Sequence, residues 1–205
     1  MQKANKERKK QPMPTAEKNK VQFGLSNVHY AKILSEDANG VPTYETTWHA
    51  LKYVTEATCD VETSNSSQYA DDIKIYDVNE ITSAQVNLTF SVLDEDFKKA
   101  ILGYVEASNG MILQSKDKKA DIALAFTFKG DKNDTIRMFF KCSVADSDDA
   151  SHSTNTDSVS FATDSIQLTA YFIKVGDHEV LKGDLKSSAT AYATFFTTAP
   201  AVPTI

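Results

Sequence analysis

The sequence predicts a mainly β protein, a β-sandwich or partly closed barrel with one flanking α-helix and long loops. Three observations predict it: several segments alternate apolar and polar residues, only one segment has a helical period, and long polar stretches separate them. Side chains two residues apart share a strand face, so each alternating segment is predicted to be a strand with one buried side. Strands that outnumber helices so heavily pack sheet on sheet or close on themselves.

The strands divide into a strong and a weak group. The strong group has unbroken alternation of apolar side chains and covers residues 86–92, 122–128, 136–144 and 166–172. Weaker alternation predicts strands around 21–34, 52–62, 73–78 and 191–197. The first weak strand changes parity near Ser26 and Asn27, which predicts a bulge or bend there.

One helix is predicted between residues 93 and 103. Asp94 can cap its start and Gly103 can terminate it, while two lysines lie in its last turn. Its apolar face is formed by Leu93, Phe97, Ala100 and Ile101.

Two stretches are predicted to be irregular. Residues 35–50 contain the turn-forming pair Asn39-Gly40 followed by Pro42, and residues 146–158 are almost wholly polar. A loop as long as the second is either disordered or functional.

Charge divides the chain into a basic arm, residues 1–18, and a single acidic β domain, residues 19–205. Residues 1–20 contain seven bases and two acids, a net charge of +5, and the remaining 185 residues contain 15 bases and 26 acids, a net charge of −11. An acidic domain argues against a broad duplex-binding surface. The arm is too polar to fold alone, which leaves a solubilising flexible tail or a segment that docks on an acidic neighbour, including another copy.

The compartment follows from cysteines and hydropathy. Cys59 and Cys142 can form at most one disulfide, so a reducing compartment is expected. The charged N-terminus is followed by no apolar run of a secretory signal, and no segment is long and apolar enough for a membrane span. We expect synthesis in a cytoplasm without export or membrane contact.

Motifs that carry chemistry are missing, so no catalytic, cofactor-binding or metal-binding residues and no cofactor are predicted. Nucleotide, nucleophile-elbow and zinc motifs are absent, and the four histidines lie far apart. The acidic residues of 146–157 lack the spacing of a calcium loop. The protein is predicted not to be an enzyme.

Three segments together resemble a known family. They are residues 19–31 (NKVQFGLSNVHYA), 69–72 (YADD) and 93–103 (LDEDFKKAILG). Their order and spacing resemble the major tail proteins of long-tailed, non-contractile phages of Gram-positive bacteria, most closely over residues 19–130. Two departures are that residues 1–18 precede the usual start of relatives and that residues 46–52 differ from the expected loop sequence.

The resemblance implies a structural subunit of the tail tube. Six copies would close into a ring whose sheets continue into an inner barrel, and rings would stack into a conduit that DNA crosses without specific binding. Other implied partners are tape-measure, tail-terminator and tail-tip proteins, and the implied location is the virion tail, assembled in the cytoplasm of the host bacterium. Residues 35–70 are the expected loops toward the next ring. The subunit-interface candidates are Phe23, Tyr30, Trp48, Tyr69, Asp71, Asp72, Lys9 and Lys10.

Other functions remain open at this point. A β-sandwich could be a binding or decoration module on a phage particle, or the tube could belong to a tail-derived bacteriocin. Trp48 could equally pack in the core of the domain, as a single Trp often does. A hydrolase with an unrecognised site is a third class.

Overall fold

A computed structural model of the chain describes residues 19–116, 119–151 and 162–204, with side chains described outside 146–151. Its regular elements are β1 (Gln22–Glu36), β2 (Pro42–Tyr44), β3 (His49–Ala50), β4 (Val54–Ala70), β5 (Ile73–Phe90), α1 (Glu95–Ala100), β6 (Val105–Glu106), β7 (Ile112–Leu113), β8 (Ile122–Gly130), β9 (Thr135–Ser151), β10 (Thr163–Ala170), β11 (Ile173–Val175), β12 (His178–Val180), β13 (Lys182–Lys186) and a 3₁₀ helix (Thr190–Tyr192). The prediction of a mainly β fold with one flanking helix is confirmed.

Within the described residues nine strands form one antiparallel sheet, and seven of them follow the order β2-β1-β8-β9-β10-β5-β4. The short β3 adds to β1, and β13 lies along the first residues of β9, in line with β10. Two small hairpins, β6–β7 and β11–β12, lie off the sheet. Within the described residues the strands do not close into a barrel, and the fold is consistent with the β-sandwich alternative.

The sheet buries a core on each of its faces. The first core includes Ile122 and Leu124 of β8 and is covered by Phe97 of α1. The second core includes Ala123 and Ala125 of the same strand. Because neighbouring residues of β8 point to opposite faces, this strand is buried on both sides, whereas one buried side was expected.

The predicted helix is present but shorter than the sequence pattern. It runs from Glu95 to Ala100, and the Asp94 side chain accepts a hydrogen bond from the backbone N–H of Asp96, as a capping residue does. Gly103 follows with a φ of 76°, which favours glycine after the helix end.

Two local predictions in β1 and after it are confirmed. The register between β1 and β8 shifts between Ser26 and His29, and Asn27 has a φ of 50°. The chain then turns at Asn39-Gly40, where Asp37 Oδ1 accepts hydrogen bonds from the backbone N–H groups of Asn39 and Val41, both at 2.8 Å.

Three predictions about irregular and extended segments were wrong. Residues 191–197 form turns and part of the 3₁₀ helix instead of a strand, because the adjacent Phe195 and Phe196 both pack inward against the second core. Residues 146–151 continue β9, since they pair with β10, while 152–158 lie outside the described residues. Residues 63–70, expected among the loops, form the second half of β4 because they pair with β5, whereas the strand predicted around 52–62 is present as the first half of β4.

Candidate subunit interface

The most exposed part of the fold is the far half of the β4–β5 hairpin. Ala84 is the last residue of β5 that pairs with β10, through Ala170, whereas pairing with β4 continues to Ile73. We call residues 63–82 the hairpin arm. A register shift between Glu62 and Thr63 marks its start, and it extends roughly 25 Å past the last pairing with β10 at the usual rise of a strand.

The arm carries large apolar side chains that are exposed among the described residues of the subunit. Fractional exposures reach 63% for Tyr69, 68% for Ile73 and 63% for Tyr76, and Ile75 and Ile81 are also exposed. A group of exposed apolar side chains on one element is typical of an interaction surface. Apart from Tyr69, these residues were not interface candidates from sequence, where residues 73–78 indicated only a weak strand.

The tip of the arm is a two-residue turn made by Asp71 and Asp72. Their φ angles are 51° and 62°, and they connect the paired residues Ala70 and Ile73. Two positive φ angles are typical of a type I′ turn, which suits the twist of a hairpin. Aspartate adopts this left-handed conformation more readily than most residues, so the tip places two carboxylates at its end.

Polar contacts across the arm hold its two strands together. Asp77 contacts Lys74 Nζ of its own strand at 2.6 Å and accepts a hydrogen bond across the arm from Ser67 Oγ at 2.8 Å, and both contacts lower the pKa of its carboxyl group. Near the base, Ser83 and Gln85 donate to Glu62 at 2.7 and 3.0 Å and lower its pKa in the same way.

Two edges of the main sheet carry no further strand among the described residues. One is β4, the terminal strand, which is 17 residues long. The other is the first half of β1, since β3 pairs only with His29 and Tyr30 and β2 pairs from Ile33 onward. Phe23, in this free half, is 57% exposed. Free strand edges are ready templates for pairing with another chain.

The strand registers place the arm and the free half of β1 at the same end of the molecule. Gln22 pairs with Gly130 beside the β8–β9 turn. From that turn β9 runs to Cys142, which pairs with Ala170 of β10, and Ala170 pairs with Ala84 of β5. From Ala84 the arm runs back in the direction of the β8–β9 turn. The registers therefore place Phe23 toward the same end of the subunit as Tyr69, Asp71 and Asp72. In the strand order, however, Phe23 lies near one edge of the sheet and the three arm residues lie at the other edge.

The chain enters the described structure at this same end, where Asn19 is held by the β8–β9 turn. Its side-chain Nδ2 donates to Asn133 O at 2.6 Å, and its Oδ1 accepts from the N–H groups of Asn133 and Lys132 at 2.8 and 3.2 Å. Asp131 Oδ1 accepts from the N–H of Lys20 at 2.8 Å, which contributes to lowering the Asp131 pKa. Sequence reasoning did not identify this contact, since Asn19 is 114 residues away from Asn133.

Tyr30 is an interface candidate that lies inside the subunit. It is 7% exposed, and its ring stands edge-on to Phe97 at 4.9 Å and stacks on His49 at 5.3 Å. Burial raises the pKa of Tyr30 to about 12, and the carboxylate of Glu45 adds to this effect.

Trp48 also lies in the subunit's own core. It is 7% exposed and stacks on Phe195 of the C-terminal segment with ring centroids 5.5 Å apart. Its indole Nε1 is buried without a hydrogen-bond partner in the described part of the chain. The other two candidates, Lys9 and Lys10, lie outside the described residues.

No group of three or more His, Cys, Asp or Glu side chains in the described ranges could hold a metal ion. A cavity of about 290 Å³ between β9, β13 and the C-terminal segment has mainly apolar walls that include Met138, Phe140, Leu185, Phe195 and Pro203.

No helix in the described part of the chain is long and apolar enough to cross a membrane.

A β fold with free strand edges and an exposed apolar arm is typical of a protein that associates with other chains. The chain matches the family model described as phage tail tube protein over residues 13–195, and it therefore belongs to that family. The match reaches well beyond residues 19–130, over which the resemblance was strongest, and it includes the last six residues of the basic segment 1–18. A search of curated proteins found no match.

Family membership supports a coarse description of function. The chain is a structural subunit of a phage tail tube, which assembles with other tail proteins in the virion tail. This structural role favours a protein without catalysis.

Proposed function

We propose that this subunit forms hexameric rings that stack into the tube of a long-tailed, non-contractile phage, and that DNA crosses the tube during delivery to a Gram-positive host. The observation that carries the proposal is the hairpin arm, which continues past its last pairing with β10 and carries exposed apolar side chains and the free edge of β4. Membership of the tail tube family and the three resembling segments support the phage context.

Ring closure follows from the two free edges. β4 and the first half of β1 are two separate edges of the sheet, each with its own unpaired backbone groups. When one edge binds the other edge of the next copy, the contact is heterologous, and repeated rotation closes it into a ring. Addition of a strand to a free edge would supply main-chain hydrogen bonds, and the apolar arm would supply buried area.

The interface candidates take different parts in this arrangement. Tyr69, Asp71 and Asp72 lie on the arm and Phe23 lies beside the free half of β1, and all four are exposed to a neighbour. Tyr30 and Trp48 are buried and would act from beneath the surface by holding β1 and the loop before β4. Lys9 and Lys10 belong to the basic segment treated below.

The acidic domain suits a conduit for DNA. Residues 21–205 carry a net charge of −11, and a wall of this sign repels phosphate and does not retain the duplex. Assembly in the host cytoplasm, with tape-measure, tail-terminator and tail-tip proteins bound along and at the ends of the tube, completes the proposal.

The test is assembly of the purified full chain, followed by electron microscopy and sedimentation. We expect rings or stacked tubes for the wild type and a folded monomer for the double variant Ile75→Ser/Tyr76→Ser, which removes apolar area from the arm. The matched control Met111→Ser/Leu113→Ser changes two exposed apolar residues outside the arm and should still assemble. A wild type that stays monomeric at high concentration and is missing from tail particles would overturn the proposal, and saturable binding of a glycan without polymerisation would favour a decoration module.

A further inference from the structure

Residues 1–18 start from a fixed point on the subunit. Asn19 and Lys20 are tied to the β8–β9 turn by the hydrogen bonds to Asn133 and Asp131. A segment of 18 residues can reach at most about 60 Å from that point. Its reach therefore includes any surface at this end of the subunit and on the copy beside it.

The segment and the β4–β5 hairpin have complementary charge. Residues 1–18 contain six bases and two acids, a net charge of +4, and residues 54–90 contain seven acids and a single lysine, a net charge of −6. Lys74 is engaged with Asp77 at 2.6 Å, so the hairpin's only base is already paired within the arm. The hairpin is thus the acidic partner that a basic segment at this end of the molecule would meet.

The strand order indicates which hairpin the segment meets. Asn19 precedes β1, near one end of the order, and the hairpin occupies the other end. A ring that joins these two surfaces brings the start of β1 of one copy beside the arm of the next. Phe23 and Tyr76 are both more than half exposed in the single subunit, so its own arm does not cover the start of β1.

We propose that residues 1–18 of one copy lie along the β4–β5 hairpin of the adjacent copy and fasten it to the ring. The inference rests on the proposed ring and names a contact within it. Lys9 and Lys10 pair there with exposed carboxylates of the hairpin, including Asp60 and Glu80. Because such pairs are solvent-exposed, the contact weakens as salt is raised.

The test uses two charge-reversed full-length chains, Lys9→Glu/Lys10→Glu and Asp60→Lys/Glu80→Lys. Each chain alone places like charges across every interface, so the protein concentration for half-maximal assembly should rise about tenfold or more at low salt. In an equimolar mixture, alternating copies place opposite charges at every interface, and assembly should return to the wild-type level. The control Lys52→Glu/Lys174→Glu makes the same charge change at exposed sites elsewhere and should assemble normally.

The outcomes separate this contact from its rivals. A mixture that assembles no better than either chain alone overturns the contact between copies, because a segment bound to its own hairpin gains nothing from mixing. Two variants that each assemble like the wild type also overturn it. If the wild type forms no rings, the proposed function fails, and a synthetic peptide of residues 1–18 then decides the contact: shifts of the arm's backbone amide signals in the full-length monomer support it, and their absence overturns it.

Discussion

The Asn19 side chain donates a hydrogen bond from Nδ2 to the carbonyl oxygen of Asn133 over 2.6 Å, which joins the start of the β domain to the β8–β9 turn. The same side chain accepts from two backbone N–H groups of that turn. Gly130 lies against it so closely that a side chain at this position would meet both Asn19 and Asn133. The contact therefore sets where the basic segment leaves the subunit.

We expect Asn19→Ala to lower the free energy of unfolding by about 1–2 kcal/mol. The substitution removes three hydrogen bonds, and the backbone groups of the turn that made them can then bond only to water. Urea unfolding measures this as a lower midpoint at an unchanged slope. Asn79→Ala, at an exposed position of the arm, is the control and should stay within about 0.5 kcal/mol of the wild type. Equal effects of the two substitutions would contradict the role of Asn19.

Asp94→Ala should destabilise the protein by about 1 kcal/mol, since the Asp94 carboxylate caps α1 through the N–H of Asp96 at 3.0 Å. Phe97, which α1 holds in the first core, would lose part of its support. Asp94→Asn preserves the acceptor and should unfold near the wild-type midpoint. A loss of the same size in both variants would mean that the charge, and not the cap, stabilises the helix.

The turn at Asp72 should tolerate glycine and resist β-branched residues. Asp72→Val places a branched side chain at a φ of 62°, which costs about 1–2 kcal/mol, whereas glycine adopts this conformation freely. We expect faster amide hydrogen exchange across residues 63–82 in the Val variant and no acceleration with Asp72→Gly. The prediction fails if the two variants exchange alike.

Tyr30 should make stability fall in alkaline solution. Burial raises its pKa from 10 to about 12, so above pH 10 the unfolded chain releases this proton while the folded chain retains it. The stabilising contribution is complete below pH 10 and is lost as the pH rises to 12, by roughly 2–3 kcal/mol. Unfolding free energies across this range should fall less steeply for Tyr30→Phe, while Tyr69→Phe on the exposed arm should follow the wild type.

The local pattern was enough to predict most strands and the helix. Alternation over 86–92 and 166–172 reflects strands whose apolar side chains mostly enter the first core, and alternation over 136–144 reflects β9, which contributes to both cores. Asp94 caps a helix where the spacing predicted one. These features depend on near neighbours in the chain, which sequence displays directly. The resemblance carried by residues 19–31, 69–72 and 93–103 likewise indicates the tail tube family from sequence alone.

The sequence pattern predicted only part of the candidate subunit interface. Residues 63–70 are mostly Ser, Asn, Thr and Gln, which favour loops, and they form a strand because Ile73 to Ile81 pair with them. The arm's apolar side chains gave no buried face to recognise, since they enter no core. Phe23 and Tyr69 were candidates, but their placement toward one end of the subunit follows from registers across β8, β9, β10 and β5.

Sequence alone determined the β class, the helix, the turn at Asn39-Gly40 and the division into a basic segment and an acidic domain. Tertiary structure decided that Phe195 and Phe196 turn inward to cover the second core, which buries β8 on both faces. It also decided which strand edges stay free and from which end of the subunit the basic segment begins. Periodicity records which side of a strand is apolar, whereas coverage and edge position depend on residues more than a hundred positions away.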